Sequence, residues 1–139
     1  MSWVANVMLS VSLADRHNAE MFSDWLDRER LRLEGEGVRR CGTLALITGS
    51  DTQWGGYKYP ECVVYAGALN HADLGALVEH FGSLPWHTPN AVQLFIMDQE
   101  ESFFRLWMIR EGKPRQYAPT VPDEDDDEFW PADPFPHVV

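Results

Sequence analysis

A chain of 139 residues, 45% hydrophobic and 12% aromatic, is sized for one domain with a sizeable core, which argues against wholesale disorder and leaves little room for a second domain. Its 22 acidic and 11 basic side chains give a formal net charge of -11, so the dominant basic surface that phosphate neutralisation requires is missing, and neither nucleic acid nor an anionic membrane is an expected partner. Two cysteines, Cys41 and Cys62, are too few for a disulfide framework or a cysteine-only zinc site and read as reduced thiols of a cytoplasmic protein.

The first predicted element is a strand over residues 3–13. Trp3, Ala5, Val7, Leu9, Val11 and Leu13 share one parity and Asn6, Ser10 and Ser12 the other, the period of a strand with one face on a core. This alternation, with no basic segment ahead of it, also sets the stretch apart from a secretory leader. No run in the chain approaches the ~18 apolar residues of a membrane span.

A helix is predicted over 15–33, with Asp15 as its N-cap and Phe22, Trp25, Leu26 and Leu33 on one face,. Gly35 and Gly37 punctuate its end,. A strand follows over 43–48, then a loop over 49–61 that holds Gly49, Gly55, Gly56 and Pro60. Residues 62–69, with Val63, Val64 and Tyr65, read as the next strand,. The second helix has Asn70 as its expected N-cap, Leu69 and Leu74 as a hydrophobic staple, and Leu74, Leu77, Val78 and Phe81 as its apolar face,. Gly82 is expected to end it, and Pro85 to prevent its resumption,. Residues 92–97 and 103–109 form an antiparallel hairpin around the polar turn 98–101,. After Gly112-Lys113-Pro114 the composition turns to proline and acid, so the folded body is expected over 1–117 and a tail over 118–139.

The resulting order is β-α-β-β-α-β-β. Its first six elements resemble the split βαβ arrangement called ferredoxin-like. The resemblance implies an α+β fold, an antiparallel sheet with two helices on one face and one extra C-terminal strand at an edge. It implies nothing about function, because that architecture hosts many unrelated activities.

Constellations for chemistry are thin. His17, His71, His80, His87 and His137 include no pair one helical turn apart, so no metal ligand set is expected. There is no G-x-S-x-G elbow, no CxxC and no glycine-rich phosphate loop, so no catalytic or cofactor-binding residue is assigned. Trp86, held between Pro85 and Pro89, is expected to close the core.

Two features point to contacts with other molecules. The loop over 49–61 carries Trp54, Tyr57 and Tyr59, amphipathic aromatics of the kind that concentrate in protein interfaces; the competing reading folds them back over the core. The tail holds an unbroken acidic run over 123–128, followed by Phe129-Trp130-Pro131, a mixture suited to a basic, partly apolar groove. Seven of the 22 acids lie in this tail. Arg28, Arg30, Arg32, Arg39 and Arg40 offer a landing site within the chain, interspersed with Asp27, Glu29, Glu34 and Glu36,. Docking in the same chain, docking on another molecule and plain disorder all stay open for the tail.

The expected function is therefore a non-enzymatic protein-binding module that engages a partner protein with a basic surface, similar in kind to immunity proteins, antitoxins and phage-encoded inhibitors. Its expected contact residues are Trp54, Tyr57, Tyr59, Asp125, Asp126 and Trp130. One alternative is a homo-oligomeric structural or assembly protein, since Phe103, Phe104, Leu106, Trp107, Met108 and Ile109 leave the strand over 103–109 little polar surface,. Another is a small-molecule enzyme or sensor, which would need a pocket with converging His and carboxylate groups.

Overall fold

The computed structural model describes residues 3–29, 40–48 and 53–119. Six strands are present among the described residues: β1 (Val4–Ser12), β2 (Ala45–Leu46), β3 (Cys62–Asn70), β4 (Gln93–Asp98), β5 (Arg105–Arg110) and β6 (Lys113–Tyr117). Two α-helices accompany them, α1 (Arg16–Glu29) and α2 (Leu74–Ser83). The strands form one sheet in the order β2-β3-β1-β4-β5-β6, with every neighbouring pair antiparallel. The fold is α+β. No helix among the described residues is long and apolar enough to cross a membrane.

The alternation in β1 does what its period requires. Ala5, Val7, Leu9 and Val11 are buried, and their neighbours Val4, Asn6, Met8, Ser10 and Ser12 are half-buried on the other face. β1 pairs with β3 over nine residues, from Val4 opposite Asn70 to Ser12 opposite Cys62, and with β4 on its other side. Both helices bury their apolar faces in the cluster that holds these β1 side chains: Ala19, Phe22 and Leu26 from α1, Leu77 and Phe81 from α2. Phe22 and Phe81 meet edge to face at 6.5 Å, and the Trp25 ring lies tilted against Phe22 at 6.1 Å. Each such buried Leu or Phe contributes about 1.5–3 kcal/mol relative to leaving it in water. Trp86 closes the cluster, 8% exposed, with its indole N–H donating to the Phe81 carbonyl at 2.8 Å.

Several elements begin or end elsewhere than the sequence suggests. Asp15 does not open α1 as a simple N-cap. It closes a short 3-10 turn, is fully buried, and accepts from the backbone N–H groups of His87 at 2.6 Å and Thr88 at 2.9 Å and from the Asn18 amide at 3.0 Å. A carboxylate ahead of one helix thus holds down the connection that follows the other. The expected extension of α1 to Leu33 falls outside the described residues.

The N-cap of α2 is Asp73, not Asn70. Asn70 is still the last residue of β3, its N–H bonded to the Cys41 carbonyl, and His71 turns the chain at φ 52°. The Asp73 carboxylate then accepts from Ala76 N–H at 3.1 Å. Nor does Gly82 end this helix. It lies within α2 against the Pro114 ring, where a side chain would collide.

β2 is only two residues long, not six, because the chain before it crosses over β3. At Gly67 the Thr43 carbonyl oxygen occupies the space a Cβ would need,. The crossing is tied down by Ser23 of α1, whose hydroxyl accepts from Leu44 N–H at 3.0 Å and donates to the Leu44 carbonyl at 2.9 Å.

After β4 there are two strands, not one. β5 starts at Arg105, and Glu111 and Gly112, both with positive φ, make a tight turn into β6,. Pro114 is tolerated because β6 is the edge strand,.

Candidate protein-binding surface

The connection from β2 to β3 holds the loop aromatics. Gly56 N–H bonds to the Gln53 carbonyl at 2.8 Å, and Trp54 and Gly55 both take positive φ, so the loop turns tightly at Trp54. Trp54 is 44% exposed, Tyr57 96% and Tyr59 74%. None of the three folds back to cap the core. Ile47, where the chain leaves β2, is exposed as well. Large aromatic side chains held in water carry a standing hydrophobic cost that a partner would relieve. The other expected contact residues, Asp125, Asp126 and Trp130, lie outside the described residues, as do Arg30, Arg32 and Arg39. Arg40 is described, and its guanidinium is paired with Asp27 at 2.8 Å.

A second surface is the sheet face opposite the helices. Register fixes which side chains share it: Met8 and Phe95 are opposite each other across β1 and β4, Phe95 and Leu106 across β4 and β5, and Met108 and Arg115 across β5 and β6. The Phe95 and Phe104 rings meet edge to face at 6.4 Å. Beside them a shallow depression of about 380 Å³ is floored by Ala66, Gly67 and Ala68 and walled by Asn6, Met8, Met97 and Phe104. At the β6 side the same face turns cationic. Arg110 is opposite Lys113, and Arg115 lies over the Tyr117 ring at 5.8 Å. Arg110 donates to the Met108 sulfur at 3.4 Å and to the Ile109 carbonyl at 2.8 Å. Sequence reading missed this arrangement. The basic residues it weighed lie over 28–40, and it placed no strand after the one over 103–109; the pairing of β5 with β6 is what assembles the second basic group.

On the helix side, a cleft of about 320 Å³ opens between α2 and the β4–β5 hairpin, lined by Val78, Ile96, Trp107, Asp98, Glu101 and Arg105. Glu101 and Arg105 engage each other: Arg105 donates to Glu101 Oε2 from Nη2 at 2.6 Å and from Nε at 2.9 Å, and from Nε to Oε1 at 3.1 Å, and these bonds hold the Glu101 carboxyl below its usual pKa and the guanidinium above its own. A further hollow is lined by Asp24, Trp25, Asp27 and His80, with the His80 ring stacked on Trp25 at 3.8 Å. Among the described residues no group of three or more His, Cys, Asp or Glu side chains is placed to hold a metal ion. Cys41 is buried, with its thiol 3.9 Å from the Gly42 carbonyl oxygen, and Cys62 is half-buried.

Burial pushes the Asp15 carboxyl up, but the bonds from His87, Asn18 and Thr88 outweigh it and leave the group below its usual pKa,. Burial also raises the Tyr65 phenol, which donates to Glu20 at 3.4 Å. Both groups are part of the scaffold, and neither faces the loop or the open sheet face. The chain matches no known family model, no curated protein and no solved structure.

Proposed function

We propose that this chain is a non-enzymatic protein-binding module, of inhibitor or immunity type, that engages a partner protein with a basic surface. The observation that carries the reading is the exposure of Trp54, Tyr57 and Tyr59 together on one tight loop. Aromatic anchors of this kind dominate the energetics of many protein interfaces, and the net charge of -11 would steer a basic partner toward them,. The strand run β2-β3-β1-β4, with α1 and α2 in the connections, supports a split βαβ scaffold extended at one edge by β5 and β6,.

The test is a pull-down from source cells with the wild-type chain and with a Trp54→Ala/Tyr57→Ala/Tyr59→Ala variant, matched for thermal unfolding. A defined protein retained by the first and lost by the second, with binding that weakens as salt rises, is the expected result. Equal retention by both would overturn the reading. Self-assembly through the open sheet face is the second reading, favoured by the apolar side chains that no described element covers; light scattering that shows a monomer removes it.

A further inference from the structure

We propose that the acidic and aromatic segment of this same chain, residues 123–130, folds back over the open sheet face, with its carboxylates on Arg110, Lys113 and Arg115 and with Phe129 and Trp130 on the surface of Met8, Phe95, Met97 and Met108. The inference is independent of the loop's role.

Three observations carry it. The first is that the face needs a cover. It presents thioethers, aromatic rings and small alanines side by side, and contiguous apolar surface of this sort is seldom left in water,. Methionine side chains adapt to whatever shape arrives.

The second is charge. The β5–β6 hairpin sets Arg110, Lys113 and Arg115 on that face, and among the described residues none of the three makes an ion pair with a carboxylate. The acidic run over 123–128 is the densest negative charge in the chain and is followed at once by Phe129 and Trp130. Acid next to aromatic matches base next to thioether and ring. The arginine-rich stretch near α1 is a weaker rival, because Arg40 is already held by Asp27.

The third is reach. β6 runs from Lys113 to Tyr117, so the chain leaves the sheet beside Leu106. The return to Lys113 along the strand is about 14 Å at the usual rise. The six residues from Tyr117 to Asp123 span up to ~20 Å, and Pro119 and Pro122 within them reduce the entropy to be lost on docking,. A tethered segment also has an effective concentration near the millimolar range, which favours this chain's own segment over a second molecule at ordinary protein concentrations.

The test uses the full chain labelled at the methionine methyl groups. The expected result is cross-relaxation between the Trp130 ring and the methyls of Met8, Met97 or Met108, with upfield ring-current shifts of those methyls. Both are lost when the acids over 123–128 are changed to Asn and Gln or when Arg110 and Arg115 are changed to Gln, while the exposed Met21 of α1 serves as the unmoved control. A mixed sample of labelled and unlabelled chains decides the source of the ring. Contacts seen only between different molecules would overturn the proposal in favour of a second copy. Contacts from Trp130 to α1 alone, or methyl shifts indifferent to the acidic run, would also overturn it.

Discussion

The two faces of the sheet are made from alternate residues of the same strands, yet they are built on different terms. On the covered face β4 places Leu94 and Ile96, both buried; on the open face the same strand places Phe95 and Met97, both half-buried. The covered face is a fixed packing of branched aliphatics and rings whose shape is set by α1 and α2,. The open face mixes unbranched thioethers, rings and alanines over a shallow hollow. A surface of that composition resembles a receiving surface more than a core, and the contrast can be measured.

The sharpest break is expected at Gly67→Ala. The new Cβ would collide with the Thr43 carbonyl, a backbone atom that can give way only by moving its chain, so the loss should be about 3 kcal/mol or more by denaturant unfolding. A paired test on adjacent residues comes next. Leu94→Ala should cost about 3 kcal/mol, and Phe95→Ala about half as much, since less of its ring has left water. Equal losses would mean that the open face is a second core.

A third test separates the polar anchor of the covered face from its apolar filling. Asp15→Ala leaves two backbone donors at His87 and Thr88 without their acceptor and should cost about 2 kcal/mol. Because the carboxyl lies below its usual pKa in the fold, its stabilisation is complete above the usual carboxylate range and fades as pH falls through and below it. Asp15→Asn should accordingly flatten the acid limb of the stability curve, read from urea midpoints between about pH 7 and pH 3. The smallest effect is expected at the loop: Tyr57→Ala, at a side chain 96% exposed, should change stability by less than about 0.5 kcal/mol. A larger loss would show that the loop is part of the scaffold.

The covered face was the legible part. Two-residue alternation in β1 and the three-to-four-residue spacing of Phe22, Leu26, Leu77 and Phe81 select the buried side chains without further information,. β5 is a different case, because Leu106 and Met108 on one parity are as apolar as Trp107 and Ile109 on the other, so periodicity cannot say which face meets the helices. β6 was missed for a local reason. Glu111-Gly112 is not one of the strong Asn-Gly or Asp-Gly turn signals, and Pro114 reads as a strand breaker until the strand is known to lie at an edge,. Asp73 lost to Asn70 as the expected cap because β3 runs one residue further than its apolar pattern. For the candidate surface, composition and flanking glycines picked out the loop aromatics but left open whether they fold over the core; their exposure comes from the structure. The basic corner was not, since Arg110, Lys113 and Arg115 meet only through the turn between β5 and β6.

The two margins of the sheet have a consequence for assembly. At one margin β2 offers two paired residues, and at the other β6 offers a strand with a proline and two cations, its ring held against Gly82 of α2. Neither is a good template for adding a strand from another molecule, and like charge on β6 would oppose the approach of its own copy. Growth of ribbons by strand addition is thereby discouraged at both margins of the described sheet,.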